Sequence, residues 1–328
     1  MAKALVTGGT GFLGSHLVQA LVSRHDEVRC LVRRTSNLRW LQGLPVEYAV
    51  GELRDPASLE RAVEGVEIVY HVAAALAAAS AEQFDAINFR GTRALAQACV
   101  ESRGPIRRFV YVSSIAASGP SRDGRPLHER MPERPVSAYG RSKLRGERVV
   151  RELAAVVPVT ILRPPAIFGP RDPNLLPLLK LAQRGLLLNM SLTRDSVTDF
   201  AYVGNIVHAA VLAGEAETPS CEVYFVGEGV PRTWDEVLDA LAGVLGVRGV
   251  RIRIPPACTR LVGELGTLWA KLSGRAVILD RDKTREVLQQ CWSMNIGKAA
   301  RELGYAPVAG LREGLSRTVE GYRAIGWL

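Results

Sequence analysis

The chain has 328 residues, of which 47% are hydrophobic, so it is long enough to bury a large core in one large domain or two. Its formal net charge is +9 at pH 7, but no basic run is interleaved with stacking aromatic residues, which disfavours nucleic-acid binding. The five cysteines and five histidines are scattered, which argues against a disulfide framework and a metal site and suits a reducing cytosol.

The first element is an apolar run that predicts a buried strand, followed by a glycine-rich turn and a helix over 15–22. Gly8, Gly11 and Gly14 occupy the turn. Glycines at such a turn let the backbone approach a pyrophosphate, whose charge is stabilised by the positive end of the helix. Residues 4–14 therefore predict a phosphate-binding corner for a dinucleotide.

A second strand is predicted at 27–32, and Arg33 and Arg34 follow it directly. In dinucleotide-binding units this place usually holds an acid that binds the adenosine ribose hydroxyls. Two arginines would instead bind a 2′-phosphate through charge-assisted hydrogen bonds. The pair therefore favours NADP, with NAD still possible; the alternative interpretation is a solvated basic turn.

A third strand is predicted at 46–50 and a helix at 56–64, with Asp55 as its N-cap. The fourth strand, 67–72, runs into the small residues 73–79. Small side chains at the end of a central strand would let a flat ligand lie against the backbone. The same residues could instead be the alanine-rich start of a helix.

A helix is predicted at 84–101, a fifth strand at 108–112, a helix at 136–152 and a sixth strand at 159–162. Strands that alternate with helices in this way predict an α/β protein with a doubly wound parallel sheet. Beyond it the alternation weakens, with helices at 175–184, 203–212, 234–245 and 311–324 and a strand at 223–226 that could rejoin the sheet. We expect residues 1–169, with 199–227, to form the dinucleotide-binding domain, and 170–198 with 228–328 to form a smaller, mainly helical substrate domain.

Tyr139 and Lys143 lie four residues apart on a predicted helix and therefore share one face. A tyrosine with its ordinary pKa of about 10 is a poor base at neutral pH. We expect the lysine, with a positively charged nicotinamide ring, to lower that pKa into the working range. Ser114, at the end of the fifth strand, would then hydrogen-bond the reacting oxygen of a substrate.

Several motifs occur in an order that is similar to one known group of enzymes. They are TGGTGFLG at 7–14, NFRGT at 88–92, VSS at 112–114, YGRSK at 139–143, RPPAIFGPRDP at 163–173, DFAYVGNIVHA at 199–209 and KAARELGYAP at 298–307. With them the chain resembles the extended short-chain dehydrogenase/reductases, the epimerase/dehydratase-like superfamily with a Rossmann fold, over essentially its whole length. Within that superfamily it is most similar to the 3β-hydroxysteroid and sterol-4-carboxylate dehydrogenase branch and to the dihydroflavonol-reductase-like branch.

The resemblance implies a role for particular residues. Ser114, Tyr139 and Lys143 would be the catalytic set, and Asn88 would be more structural than chemical. The implied cofactor-binding residues are, from the pyrophosphate through the adenine to the nicotinamide, Gly8, Gly11, Phe12, Leu13, Gly14, Glu52, Leu53, Ala73, Ala74, Pro164 and Ala166, together with Tyr139 and Lys143. Glu52 stands where the family usually has an aspartate.

Two departures from the family pattern bear on the substrate. Nucleotide-sugar enzymes usually have asparagine at the position of Ala166, and the dehydratases have an acid at that of Ile115. Both losses favour an apolar, steroid-like or otherwise lipid-like carbonyl compound, with Tyr139 donating the proton during reduction. The alternatives are a nucleotide-sugar epimerase or dehydratase that retains its NAD(P), and a non-catalytic dinucleotide-binding subunit. The resemblance also implies a homodimer formed by the helices near 84–101 and 139–152.

The last feature is a basic segment, 248–275, with an apolar stripe at helical spacing. The stripe consists of Leu261, Val262, Leu265, Leu268, Trp269 and Leu272. We expect this helix to pack on the small domain; the alternative is a wall for a lipid-like substrate that touches a membrane surface. The uncharged stretches 68–81 and 200–214 are shorter than the ~18 residues of a membrane span. The first strand leaves no room for a signal peptide, so we expect a cytoplasmic protein.

Overall fold

A computed structural model describes residues 2–102, 104, 106–274, 276–277 and 279–328. Strands and helices alternate in the first half of the chain, and a π-helix at Asp85–Gly91 joins α3 to α4. In order, the elements are β1 (Lys3–Thr7), α1 (Phe12–Ser23), β2 (Glu27–Val32), β3 (Val46–Val50), α2 (Pro56–Val63), β4 (Ile68–His71), α3 (Ala81–Phe84), α4 (Thr92–Glu101), β5 (Arg108–Val112), α5 (Ile115–Ser118), α6 (Ala138–Leu153) and β6 (Val159–Arg163).

The second half holds short strands and most of the remaining helices. They are β7 (Ala166–Phe168), α7 (Leu176–Gln183), β8 (Leu186–Asn189), β9 (Val197–Thr198), β10 (Phe200–Tyr202), α8 (Val203–Glu215), β11 (Glu222–Phe225), β12 (Arg232–Thr233), α9 (Trp234–Leu245), β13 (Val250–Arg253), α10 (Pro256–Ser273), α11 (Arg281–Val287), β14 (Cys291–Trp292), α12 (Gly297–Leu303) and α13 (Leu311–Ala324). The bounds of β2, β3, β5, α9 and α13 agree with the sequence prediction.

Seven parallel strands form the central sheet in the order β11-β6-β5-β4-β1-β2-β3, which confirms the predicted doubly wound α/β fold. The chain reverses direction across the sheet between β1 and β4, and ligands of such sheets bind in the crevice at the carboxyl ends of those strands. Apolar residues of α1 and α8 bury one face, and those of α2, α4 and α6 bury the other. The site residues predicted from sequence follow these strand ends.

Two local expectations were wrong, and a third was confirmed only in its position. The helix predicted at 84–101 is interrupted, because its first part is α3 and the π-helix. Asp55 occupies the N-cap position of α2 but its side chain makes no capping hydrogen bond, and the Ser58 hydroxyl donates to its carbonyl instead. Residues 73–79 are not the start of a helix, because helical structure begins only at Ala81.

The C-terminal region has an apolar core of its own, formed by α7, α9 and α13, and α10 lies beside α11 outside that core. The six stripe residues of α10 are between 46% and 77% exposed, so the expectation that this stripe packs on the small domain was wrong. Arg275, at the end of the predicted segment, lies outside the described residues. No helix in the described part of the chain combines the length and apolar character needed to cross a membrane.

Candidate active site

The glycine corner between β1 and α1 leaves no room for side chains at two of its glycines. Gly8 has a φ of +75°, and a Cβ there would lie 2.8 Å from the backbone of Ala73. A Cβ on Gly14 would lie 2.1 Å from the Gly8 carbonyl oxygen. The Gly11 N–H donates to that same oxygen over 2.9 Å and closes the turn. The corner is thus a backbone cradle that only glycine permits.

The amino terminus of α1 lies directly above this cradle. Gly11 is its N-cap, no side chain caps the helix, and no acidic residue stands in its first turn, which begins with Phe12 and Leu13. Its first N–H groups and the positive end of its dipole are therefore suited to an anion. A backbone cradle beneath an uncapped helix end fits the pyrophosphate of a dinucleotide.

A buried chain of hydrogen bonds fixes the loop that follows β4 against this corner. His71 Nδ1 lies 2.7 Å from the Thr7 hydroxyl, and His71 Nε2 lies 2.9 Å from the Thr92 hydroxyl. The Ala73 N–H donates to the same Thr7 hydroxyl. Burial, with a smaller effect of the Lys143 charge, lowers the pKa of His71 to about 3, so its imidazole is neutral. This chain of bonds positions Ala73 and Ala74 beside Gly8.

The residues expected at the adenosine end lie at the carboxyl ends of β2 and β3. Arg33 and Arg34 are exposed, and neither side chain is in an ion pair with another described residue. Glu52 is half-buried, and its N–H donates to the Ser58 hydroxyl. Leu53 packs on the π-helix, where a Cβ added to Gly91 would lie 2.9 Å from it. Two unpaired guanidinium groups are thus available to an anionic ligand.

The structure brings Ser114 and Tyr139 together at the carboxyl end of β5. Ser114 is the N-cap of α5, where its hydroxyl accepts a hydrogen bond from the Ala116 N–H, and it lies near the side chain of Tyr139 in the first turn of α6. Burial raises the pKa of Tyr139, the Glu286 charge raises it further, and the nearby Ser114 hydroxyl lowers it. In this structure Lys143 does not lower the pKa of Tyr139 into the neutral range, contrary to the expectation. Tyr139 is therefore a protonated phenol at neutral pH.

Lys143 lies one turn further along α6 and is almost completely buried. Its ammonium group donates to the Val112 carbonyl over 2.7 Å and lies 4.3 Å from the centre of the Tyr111 ring. Burial lowers the pKa of Lys143 to about 7, although the Glu147 carboxylate acts in the opposite direction. A small change in its surroundings is therefore sufficient to change its charge near neutral pH.

Sequence reasoning missed a buried ion pair that lies beneath this lysine. Glu147 and Arg163 are joined by two hydrogen bonds, of 2.9 and 2.6 Å, and both side chains are at most 1% exposed. Arg163 also donates to the Ser118 hydroxyl and to Glu133, and the Ser113 hydroxyl donates to Glu147. The spacing of Tyr139, Lys143 and Glu147, four residues each, places the three on one helix face and could have revealed this carboxylate.

Two carboxylates of α11 also accept hydrogen bonds from the start of α6, and no sequence pattern near them predicted these contacts. Asp282 accepts hydrogen bonds from the N–H groups of Ala138 and Tyr139, at 2.6 and 3.2 Å. Glu286 accepts one from the hydroxyl of Ser137, the N-cap of α6. Burial raises the pKa of Asp282, and the two backbone donors lower it. The amino end of the tyrosine-bearing helix is thus fixed by residues about 140 positions away.

The remaining expected residues lie around this centre. Asn88 is buried in the π-helix, where its amide exchanges two hydrogen bonds with the backbone of Ala75 and donates to Ser142 of α6. Ile115 is buried, and its N–H donates to the carbonyl of Pro164. Ala166 begins β7 and is exposed. Asn88 thus ties the loop after β4 to the helix that carries Tyr139.

Comparisons with known proteins agree with this geometry. The sequence model of the 3-beta hydroxysteroid dehydrogenase/isomerase family matches residues 5–255. The ceramide reductase of Caulobacter vibrioides is 35% identical, with 98% of this chain and 95% of that protein covered. Sterol demethylase protein B of Methylococcus capsulatus is 33% identical, with 99% of each covered. The solved UDP-glucose 4-epimerase of Thermotoga maritima, with UDP-glucose, has a TM-score of 0.81 at 23% identity over 98% of this chain and 99% of that chain, which shows a shared fold.

Proposed function

The chain belongs to the 3-beta hydroxysteroid dehydrogenase/isomerase family and is a short-chain NAD(P)-dependent dehydrogenase/reductase, and we propose that it interconverts a secondary alcohol and a ketone of a lipid-like substrate with NADP(H). The observation that carries this proposal is the pair of Ser114 and Tyr139, whose side chains lie close enough for the serine hydroxyl to lower the pKa of the phenol. It lies at the same edge of the sheet as the glycine cradle, with Lys143 one turn away on α6.

Three side chains have separate roles in the proposed carbonyl reduction. A nicotinamide cofactor, when bound, would supply the hydride. Tyr139, which burial keeps protonated, donates its proton to the carbonyl oxygen of the substrate. The Ser114 hydroxyl hydrogen-bonds that oxygen as negative charge develops on it. Lys143 would hold the ribose of a bound nicotinamide cofactor, and its positive charge would stabilise the phenolate that remains after proton donation.

The preference for NADP rests on Arg33 and Arg34. Both are exposed at the carboxyl end of β2, where an acid binds the ribose hydroxyls in NAD-dependent relatives of this fold. A 2′-phosphate would be a partner for two guanidinium groups that have none among the described residues. NADP should therefore bind more tightly than NAD.

The substrate class rests on the apolar residues around the reacting groups. Ile115 adjoins Ser114, Ala166 begins β7, and the Phe84 ring lies 6.0 Å from that of Tyr139, centre to centre. None of these three side chains can pair with a sugar-nucleotide phosphate. The names of two relatives, a ceramide reductase and a sterol demethylase, point in the same direction. We therefore place the reactive carbonyl or hydroxyl group on a lipid-like skeleton.

The test is a screen of long-chain and steroid ketones, with the consumption of NADPH and of NADH followed in parallel. We expect NADPH to be consumed with at least one lipid ketone. Tyr139→Phe should lower that rate by about 100-fold or more, since the proton donor is lost, while leaving NADPH binding unchanged. Turnover unchanged in this variant would rule out the proposed role of the tyrosine.

The rival assignment is a nucleotide-sugar epimerase that keeps its NAD(P), the activity named for the structural neighbour. It predicts conversion of a UDP-sugar by purified protein without added cofactor. That outcome, with no oxidation of NADPH by any lipid ketone, would overturn our assignment and our interpretation of Ala166.

A further inference from the structure

Each of the first three N–H groups of α6, the helix that carries Tyr139, has a hydrogen-bond acceptor. Such groups have no partner within the helix itself. The N–H groups of Ala138 and Tyr139 both donate to one carboxylate oxygen of Asp282, over 2.6 and 3.2 Å. The Gly140 N–H donates to the hydroxyl of Ser137, the N-cap, over 2.9 Å. Asp282 of α11 therefore supplies the acceptor for two of the three groups.

Glu286 extends this contact to the N-cap of α6. It lies four residues after Asp282, so both carboxylates are on one face of α11. The Ser137 hydroxyl donates to Glu286 while it accepts from the Gly140 N–H. Glu286 is buried, and its second carboxylate oxygen accepts from the Lys283 ammonium group over 2.9 Å. The cap of the tyrosine-bearing helix is thus oriented by a buried side chain of α11.

Contacts at both ends and along one side hold α11 in place. The Asp280 side chain caps its amino end. Near the other end, the Trp292 indole N–H of β14 donates to the Glu286 carbonyl over 2.8 Å. The neighbouring α10 packs closely on one side, because a Cβ on Gly263 would lie 2.6 Å from the Thr284 side chain. The two carboxylates therefore reach α6 from a helix that is itself anchored.

The same helix also brings negative charge to the Tyr139 phenol. Burial raises the pKa of Tyr139, and the charge of Glu286 raises it further. Around the phenol, α5 contributes the Ser114 hydroxyl and α3 contributes the Phe84 ring, neither of which is charged. Lys143 lies one turn further along α6. The charge of Glu286 therefore helps to keep the phenol protonated.

We propose that Asp282 and Glu286 are positioning residues for Tyr139, and that they hold the first turn of α6 where the phenol meets the Ser114 hydroxyl and a substrate carbonyl. This role rests on the proposed function, in which Tyr139 donates the proton. Asp282 fixes the backbone of the tyrosine itself, and Glu286 fixes the N-cap before it. The position of the proton donor is thus determined by a helix about 140 residues further along the chain.

The first test measures ketone reduction by NADPH at neutral pH in two Asp282 variants. Asp282→Ala removes the acceptor of two N–H groups, so kcat should fall by about tenfold or more, while the Kd for NADPH in a fluorescence titration stays unchanged. Asp282→Asn keeps an oxygen acceptor and should recover most of the rate. Glu264→Gln, at an exposed carboxylate of α10 whose partner is Arg281 of α11, is the matched control and should keep the wild-type kcat.

The second test follows the oxidation of the corresponding alcohol by NADP between pH 7 and pH 10. Glu286→Gln keeps an oxygen acceptor for Ser137 but removes the charge, so the pKa of Tyr139 should fall. Alcohol oxidation needs the phenolate as base, so its rise with pH should move to lower pH by about half to one unit. A merely structural contact would lower the rate at every pH and leave the curve where it is.

Hydrogen exchange separates the positioning role from the proposed function. Asp282→Ala should accelerate exchange of the N–H groups at 138 and 139 in mass spectrometry, and Asp282→Asn should slow it again. Unchanged exchange, a kcat of Asp282→Ala equal to that of the Glu264 control, or an unmoved pH profile in Glu286→Gln would overturn the positioning role. Wild-type protein that reduces no ketone, with the exchange altered as expected, would overturn the proposed function and leave the contact supported. Thermal unfolding shows that each variant is folded.

Discussion

Replacing Glu147 by glutamine tests the buried ion pair beneath the proposed catalytic lysine. The carboxylate is fully buried and accepts two hydrogen bonds from Arg163 and one from Ser113. The substitution keeps the shape of the side chain but removes its charge. The guanidinium group of Arg163 is then left in the interior with a neutral neighbour.

Removing one partner of a buried pair costs about 3–5 kcal/mol, because the remaining charge is poorly solvated. Glu133 stays 3.0 Å from the Arg163 guanidinium, but its side chain is 32% exposed and compensates only in part. We therefore expect Glu147→Gln to lower the free energy of unfolding by about 3 kcal/mol, the lower end of that range. Glu133→Gln, at the half-exposed partner, should cost about 1 kcal/mol or less.

The assay is chemical denaturation at neutral pH, with the double variant Glu147→Leu and Arg163→Met as the control. Removing both charges should recover much of the loss, because apolar pairs of similar size often replace buried ion pairs without cost. Glu147→Gln should also move the ionisation of Lys143 to lower pH, since the carboxylate raises that pKa. A Glu147→Gln protein within about 1 kcal/mol of wild type would refute the argument.

Three further predictions concern the cofactor site and its surroundings. Gly14→Ala should weaken NADPH binding by at least about tenfold, because its Cβ would lie 2.1 Å from the Gly8 carbonyl oxygen. Arg33→Ala with Arg34→Ala should weaken binding of NADPH by about tenfold or more and leave that of NADH unchanged, since only the 2′-phosphate is affected. His71→Gln should make the free energy of unfolding fall less steeply as the pH is lowered from 6.5. Because the pKa of His71 is about 3 in the folded protein, this histidine binds a proton between these pH values only in the unfolded chain, whereas glutamine binds none in either state.

Each of these predictions has its own measurement and contrary result. Fluorescence titration with NADPH follows the glycine variant, and Gly243→Ala, at an exposed glycine of α9 where a Cβ would lie no nearer than 3.8 Å to another atom, controls for a general effect of alanine. Parallel titrations with NADPH and NADH follow the arginine variant, and an equal loss for both would remove the assignment to the 2′-phosphate. Denaturation at several pH values follows the histidine variant, whose slope should differ from wild type by about 1.4 kcal/mol per pH unit. Identical slopes would show that His71 is protonated in the folded protein.

The sheet could be predicted from the sequence because its signals are local. Short apolar runs bounded by glycines or charges gave the strands, and helical spacing gave α9 and α13 with their bounds. Gly8, Gly11 and Gly14 indicated the turn, because close backbone approach requires glycine there. The interruption at Asp85–Gly91 was missed, since a π-helix depends on contacts rather than on the spacing of apolar residues.

Only part of the candidate site could be predicted from the sequence. The spacing of Tyr139 and Lys143 follows from helix geometry, so the sequence placed them on one face. The contacts of Ser114 with Tyr139 and of Glu147 with Arg163 join different elements and required the fold. The pKa of Tyr139 was expected to fall and instead rises, because burial and the Glu286 charge outweigh the Ser114 hydroxyl, and burial is a property of the tertiary structure.

The helix α10 shows most clearly which properties the sequence determines and which the tertiary structure determines. The sequence by itself determined that Leu261, Leu265 and Trp269 share one face, because rotation per residue is fixed by the helix. Whether that face is buried depends on what packs against the helix. Here the small residues Gly263 and Gly266 lie against the Thr284 side chain and the Leu279 backbone, so the large apolar residues face outward. The spacing of the apolar residues determines which of them share a helix face, and only tertiary packing determines whether that face is buried.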